Sequence, residues 1–593
     1  MRRDKLGRAI RANPWLTGVL AAATVLFLFG IWRVAPYRTV ADAIVSATLP
    51  FSILREPYGL TEFLKGGNFH IWLLAIVYLP LATVFGGYLL MTGGLDTVLD
   101  SAFAVARSGA GKQWAAANRQ LLDVFHLFAL TARFVSAVAG ILTVLGVALL
   151  ARRIAGRPAG VLAAATLSVT LGVVLTAKFA TEDIVLCCIA VWTMVILARH
   201  YETGADRPLL LGAGMTGLAT STKLTGGVLG FVVAILAFRR YEPRELPTWG
   251  AVRDLARYPA LAIAAYVATT PSLLAYPDTY TDVISRYATV KSGGTTFYVA
   301  QEPGWIAHLG HLVTALGVPL FALALVATVG VAALAATDRV SRFAWYPLGF
   351  AVVFYLFDSF TASTQYNRIL LVVPFLAVFV GVVGSWAANA ERPRGLRTAA
   401  RGVLAVVLVV SLVYTAGGVA AWGMSRETAT EWTHDNFDDS THVTTLAKDI
   451  YLPKFPNETN VTQATIDPLY DQHTQARKER VLQRVRCHRT DYLVLSSFHY
   501  ERYFEDPSLS PNRTAFYRSL LDGEAGYQAV AKFGPSDPNL ERDAVANLKH
   551  ALKLQPPSRN TNNPLIVIMK PTVPPSEGPA CRRPADSPGP RSG

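Results

Sequence analysis

A succession of eleven apolar runs governs what this 593-residue chain can fold into. They fall near residues 15–34, 127–150, 158–178, 184–199, 208–222, 224–238, 258–275, 306–335, 343–360, 369–390 and 402–423. About 20 predominantly apolar residues suffice for a helix to cross a bilayer. Only 16% of the residues are charged, against roughly 25% in soluble domains, and the mean hydropathy is +0.33. The expected fold class is therefore mainly α, a polytopic membrane protein. The formal charge of +14 does not point to nucleic acid: from Arg426 onward 21 Lys+Arg balance 21 Asp+Glu, so the whole excess lies in the apolar part.

That excess sets a topology. Five basic side chains precede the first run in MRRDKLGRAIRANP, which places the N-terminus in the cytoplasm and makes the run an uncleaved first span. If residues 36–126 stay outside as one region, the connections ARRIAGR (151–157), ARHYETGADR (198–207), FRRYEPRE (238–245), TDRVSR (337–342) and ERPRGLRTAAR (391–401) all fall inside. Arg-rich loops belong there. The segment 71–91 is also apolar enough to span, but one extra crossing would reverse every later loop. It is expected to lie along the outer interface, to be re-entrant, or to pair with a return through the amphipathic stretch 93–126.

Residues 1–423 thus read as the membrane domain and 424–570 as an extracytoplasmic α/β domain. The latter carries short β-type runs, HVTTLA, DYLVLSS, YQAVAKF and PLIVIMK, with helix-like TQARKERVLQRV between them. Three sequons, at Asn457, Asn460 and Asn512, are usable only outside the cytoplasm. Residues 571–593 are Pro-rich and expected to be disordered. Cys487 and Cys581 can form a disulfide in an oxidising compartment, though sequence alone does not pair them. Cys187 and Cys188 lie within a span as small packing residues.

On the outer side the span ends mix acids, bases and aromatics. Asp42, Glu56 and Glu62 lie in the first outer region, and Arg133 opens the next span. Glu182 and Asp183 sit side by side where two apolar runs meet, and Lys223 sits between two Gly-rich segments. Arg286, His308 and Arg368 follow. Ionised groups are costly in hydrocarbon, so such residues belong at an interface or in a wet cavity. A mixed set suits an anionic, partly apolar substrate. Each has a plainer reading: Lys223, Arg133 and Arg368 as anchors at the membrane edge, His308 as an interfacial histidine, the acidic pair as a loop. Glu182 and Asp183 with a phosphate are also a conceivable Mg²⁺ or Mn²⁺ site. Glycines 212, 214 and 217 lie in an apolar helix, where close helix packing accounts for them better than a nucleotide loop.

The series ALTARFVSAVAGILTVLGVALLARRIAGRPAGVLAAATLSVT, AKFATEDIVLCCIAVWTMVILARHYE and PLLLGAGMTGLATSTKLTGGVLGFV, with NRILLVVPFLAVFVG later, resembles the GT-C glycosyltransferases. The likeness is greatest to the protein O-mannosyltransferase-like and aminoarabinose-transferase-like group, over about Trp15 to Trp422. That resemblance implies sugar transfer, with inversion, from a polyprenyl- or dolichyl-phosphate donor at the extracytoplasmic face of the plasma membrane. It implies a catalytic acid in the first outer loop, best matched by Asp42, although Ala43 stands where the group has a second acid. Glu56 and Glu62 are the substitutes. It maps a second acidic position onto Asp183, beside Glu182. The basic positions fall on Lys223, Arg133 and Arg368, and Arg286 is a further cation for the departing phosphate. Within the group, the resemblance leans toward dolichyl-phosphate-mannose-dependent N-glycosylation of archaeal surface-layer proteins. Transfer to a lipid or cell-wall glycan, or a transporter or lipid flippase, are the alternatives. A transporter predicts internal repeats and interrupted spans near mid-membrane, and the charges here cluster at one face instead.

Overall fold

The computed structural model describes residues 13–33, 68–92, 119–246, 248–275, 281, 285, 303–360, 366–389, 391, 393–421, 424–447, 451–456, 459–464, 475–505, 507–534 and 564–575. The chain divides into two compact units, one built on 42–419 with the first 32 residues, the other chiefly on 420–550 and 555–593.

The first unit is helical. Its helices are α1 (Pro14–Leu28), α2 (Asn68–Thr92), α3 (Arg119–Ala155), α4 (Arg157–Ser168), α5 (Leu171–Thr176), α6 (Glu182–Thr203), α7 (Asp206–Thr222) and, after a 3-10 turn at Leu224–Val228, α8 (Leu229–Phe238). Then come α9 (Trp249–Ala268), α10 (Ser272–Ala275), α11 (Gly304–Leu316), α12 (Val318–Ala336), α13 (Trp345–Ser359), α14 (Tyr366–Ile369), α15 (Val373–Ala387) and α16 (Arg394–Ala421). Among the described residues, six helices are long and apolar enough to cross a membrane, and Pro14–Leu28 and Leu224–Phe238 are shorter apolar ones. At 1.5 Å per residue, the 22 residues of α6 reach about 33 Å, a bilayer's thickness. Large apolar side chains such as Val326, Val329, Val406 and Val409 stay exposed on the helix surfaces, as lipid-facing residues must.

Three expected spans are divided, one of them 258–275, which falls across α9 and α10. The run 158–178 breaks into α4 and α5, and 306–335 breaks into α11 and α12 at Gly317, whose φ of 74° is followed by Pro319 in the first turn of α12. Proline suits a helix start and not its interior, which is why the break falls there. Segment 71–91 forms a single unbroken 25-residue helix rather than a re-entrant hairpin, and Tyr78 donates from its hydroxyl to the Phe128 carbonyl of α3 at 2.9 Å. Residues 93–118 lie outside the described residues.

Small residues let the helices approach closely. A Cβ at Gly217 would lie 2.1 Å from the Ala262 carbonyl oxygen of α9, and one at Gly212 would meet Leu197 of α6 at 2.5 Å. Packing of this kind is the usual solution within membranes, where burial of apolar surface gives little drive. At one end of the bundle the Arg-rich connections interlock. Arg153 pairs with Glu202, Arg240 with Asp206, and Ser341 donates its backbone N–H to the Ile154 carbonyl at 3.1 Å. Four of the five loops grouped by charge therefore meet at one end.

The second unit holds a five-stranded sheet in the order β2-β1-β3-β5-β4. Its strands are β1 (His442–Thr445), β2 (Asn460–Gln463), β3 (Tyr492–Ser496), β4 (Tyr527–Phe533) and β5 (Ile566–Pro571). β1 runs parallel to β2 and β3, while β5 runs antiparallel to β3 and β4. Both faces are covered: Leu493, Leu495, Val567 and Met569 pack into one apolar cluster, and Tyr492, Val494, Ile566 and Ile568 into another. Hence β3 and β5 are near-continuous apolar runs, whereas edge strand β4 alternates buried and open positions. The four β-type runs of the sequence supply β1, β3, β4 and β5, and TQARKERVLQRV supplies a helix at Gln475–Arg486. Cys487 is disulfide-bonded, and Cys187 and Cys188 are free.

Candidate functional site

Opposite the Arg-rich end, helix α6 begins with Glu182 and Asp183 in its first turn. Carboxylates there complement the positive pole of the helix dipole. The antiparallel partner α7 ends at Thr222, and Lys223 follows as its C-cap in extended conformation. A Cβ at Gly226 would fall 2.4 Å from the Ala219 carbonyl oxygen, so the tight 3-10 turn that holds Lys223 against α6 requires glycine there. Lys223 Nζ donates to Asp183 Oδ1 at 2.6 Å and lies 3.4 Å from Glu182 Oε1. From α14, Asn367 donates through Nδ2 to Asp183 Oδ2 at 3.0 Å. Both oxygens of Asp183, a buried side chain, are thereby engaged.

Lys223 stands in the turn, outside both flanking helices. Burial alone disfavours its ammonium, but Asp183 and then Glu182 outweigh that cost and raise its pKa above the ordinary lysine value; Arg368 acts weakly the other way. The positive charge is thus held permanently in place. Arg368, next to Asn367 on α14, lies within electrostatic reach of Lys223. Two cations and two carboxylates gather at one spot, and their formal charges cancel.

The other expected site residues are placed as follows. Arg133 is buried on α3, and its Nη1 donates to the Ile31 carbonyl at 2.7 Å. Beside it Lys178 donates from Nζ to the carbonyls of Leu26 at 2.8 Å, Phe27 at 3.1 Å and Phe29. Both cations thus serve the C-terminal end of α1, where carbonyls lack helical partners and the dipole is negative. His308 of α11 faces Asp358 of α13 at 3.2 Å, both fully buried, and α11 packs against α14. Asp42, Glu56, Glu62 and Arg286 lie outside the described residues.

Three residues of this region carry no sequence signal: Asn367, Asp358 and His70. His70, near the start of α2, is buried beside the Ala180 backbone and within electrostatic reach of Asp183. Among the described residues neither of its ring nitrogens finds a hydrogen bond of good geometry. Among the described residues no three His, Cys, Asp or Glu side chains gather to hold a metal. Nor does the acidic pair fit one as arranged, since a divalent cation would have to displace Lys223 from both carboxylates.

Residues 115–269, the stretch that contains α6, α7 and Lys223, match the family model described as dolichyl-phosphate-mannose-protein mannosyltransferase. That match covers about a quarter of the chain, and over this segment the membrane unit is similar to that family of membrane glycosyltransferases. Among solved structures, the chain is similar to ArnT from Cupriavidus metallidurans bound to undecaprenyl phosphate, at 14% identity and a TM-score of 0.47, covering 94% of this chain and 98% of that one. It is also similar to the archaeal oligosaccharyltransferase AglB from Archaeoglobus fulgidus (12%, TM-score 0.46, 94% and 88%). A third likeness is to the arabinofuranosyltransferase AftD from Mycobacteria (16%, TM-score 0.37, 77% and 35%). No curated protein sequence matches the chain.

Proposed function

We propose that the protein transfers a sugar, mannose, from a dolichyl- or polyprenyl-phosphate donor to a glycan or protein acceptor on the membrane side opposite the Arg-rich loops. The observation that carries this reading is the Asp183–Lys223–Asn367 constellation with Arg368, lying within and beside the segment matched to a dolichyl-phosphate-mannose-dependent family. The acceptor hydroxyl attacks the anomeric carbon, its proton passes to a carboxylate, and the bond to the lipid phosphate breaks. Departure of the phosphate leaves one more negative charge on it than the donor carried. Lys223 and Arg368 face that charge, and because Glu182 and Asp183 already balance them, the additional positive charge falls to Arg286.

Asp183, with both oxygens engaged, holds Lys223 and Asn367 in position. The proton acceptor is then a carboxylate of the first outer region, Asp42 first among Asp42, Glu56 and Glu62. By the positive-inside rule the site and the α/β domain are extracytoplasmic in a plasma membrane. The disulfide at Cys487 suits that compartment, as do sequon residues Asn460 and Asn512, both exposed. The acceptor is then a surface-layer glycoprotein, with the sugar added to its N-linked glycan.

The test is transfer by purified protein from a synthetic polyprenyl-phosphate mannose, together with the glycan mass of cells carrying Asp42→Asn, Asp183→Asn or Lys223→Met. Loss of one hexose from the glycan in each variant is expected. Full-length glycan in all three would overturn the assignment. Transfer that proceeds from another lipid-linked sugar and not from mannose would correct the donor alone.

A further inference from the structure

At the Arg-rich end, the far ends of α8 and the start of α13 enclose a cavity of about 370 Å³, within the size range of small-molecule sites. Its walls are Phe231, Val232, Ile235, Trp345, Gly349 and Phe350, and Arg239 and Arg342 stand at its rim. The two cations differ. Arg342 is paired with both carboxylate oxygens of Asp338, and Arg240 next door takes Asp206. Arg239 has no carboxylate partner among the described residues. Its Nη1 donates to the Tyr346 hydroxyl at 2.7 Å, and its guanidinium lies 5.8 Å from the centroid of the Tyr201 ring. Tyr346 in turn stacks on Phe343 at 5.2 Å. An uncompensated guanidinium is thus aimed by two tyrosines while most of its five N–H donors remain available.

The outer faces around the cavity carry exposed Phe231, Phe238, Trp345 and Val352, so it opens toward the hydrocarbon, with Trp345 at the level where such rings meet the headgroups. Residues 224–238 separate Arg239 from Lys223 by about 23 Å of helix, so a single phosphate does not serve both places.

We propose that this groove is a second lipid site, which holds one anionic phospholipid of the cytoplasmic leaflet with its phosphate on Arg239 and an acyl chain along the apolar wall. Guanidinium donors suit phosphate oxygens by charge and by forked geometry, and apart from the Tyr346 hydroxyl, which already accepts from Arg239, the wall between the two arginines is apolar and suits a hydrocarbon chain. A zwitterionic lipid brings a cation of its own toward Arg239 and Arg342 and is disfavoured.

Native mass spectrometry of the full chain, released from bilayer discs containing equal phosphatidylglycerol and phosphatidylcholine, tests this. One retained phosphatidylglycerol per protein is expected, and Arg239→Gln should lower that retention at least tenfold. Gly349→Leu should lower it as well, by filling the wall: a Cβ at Gly349 meets nothing within 4 Å, so the helix tolerates the change. Arg152→Gln, at the same end and outside the groove, should leave retention unchanged, and thermal unfolding checks that all three variants are folded. The proposal is overturned if Arg239→Gln retains phosphatidylglycerol as the wild type does, if phosphatidylcholine is retained equally, or if Arg152→Gln loses as much. It is also overturned if polyprenyl phosphate displaces the bound lipid one for one, because the groove would then be a donor-lipid site.

Discussion

Helix α6 carries carboxylates at both ends, and the two ends treat them differently. At its start the Asp183 side chain is 6% exposed and its partner Lys223 21%; at its finish Glu202 is 43% exposed and its partner Arg153 31%. The Asp183 pair is tied further by Asn367 and has Glu182 and Arg368 for neighbours. The Glu202 pair joins the last turns of α6 and α3 at the surface. A buried charge is tolerated only with its partners in place, and removing one leaves the other stranded, at about 3–5 kcal/mol. An exposed pair exchanges its partner for water at about 0–1 kcal/mol. The same ion-pair chemistry is therefore a commitment at one end of the helix and an adjustable surface feature at the other. Only the committed end has the permanence that a reaction needs from its charges.

The largest effect is expected from Lys223→Met. It strands Asp183 and, in the proposed reaction, removes a cation from the departing phosphate, so transfer should fall on the order of 10²–10³-fold and the detergent-solubilised protein should unfold at a clearly lower temperature. Adding Asp183→Asn should restore most of the thermal stability and none of the transfer, because the stranded charge is gone and the missing cation is not. If Lys223→Met unfolds at the wild-type temperature, the contrast between the two ends of α6 is lost.

Asn367→Ala should rank next. It removes one hydrogen bond to a charged group, worth about 1.5–3 kcal/mol, and leaves the Lys223 contact intact. Transfer should drop less than in Lys223→Met, and Asn367→Asp should be worse than Asn367→Ala, since it sets a second carboxylate against Asp183. Equal losses in the two Asn367 variants would mean that its contact with Asp183 does not govern the site.

These residues also show how far the sequence could be read. Glu182, Asp183 and Lys223 stand out because charges interrupt apolar runs at span ends, and alternation of spans brings the ends together. Asn367 is neutral, in a short connection with no periodicity, and only the folded chain sets it on Asp183. Lys178 lies in the same stretch as the acidic pair, yet its partners are backbone carbonyls of α1 some 150 residues away, and a carbonyl has no signature in sequence. The break at Gly317 was legible: glycine followed two residues later by proline is a helix-boundary signal, outweighed by a long apolar run on either side. In the α/β domain β3 and β5 were readable from their apolar runs, whereas β2, with the partly polar sequence NVTQ at the sheet edge, has too little pattern to announce a strand.

The smallest effect is expected where the second half of the comparison is tested. In a double-mutant cycle of Arg153→Gln and Glu202→Gln, followed by thermal unfolding, the coupling should be about 0.2–1 kcal/mol. It should shrink further on raising the salt from 0.1 M to 1 M, as the Debye length falls from about 10 Å to about 3 Å. Neither variant should change transfer, because the length of α6, about 33 Å, separates the pair from Lys223. A coupling as large as that between Asp183 and Lys223 would mean that the Arg-rich end is as rigidly committed as the site. A change in transfer would mean that α6 conveys strain from one end to the other, so that its two ends act as one device.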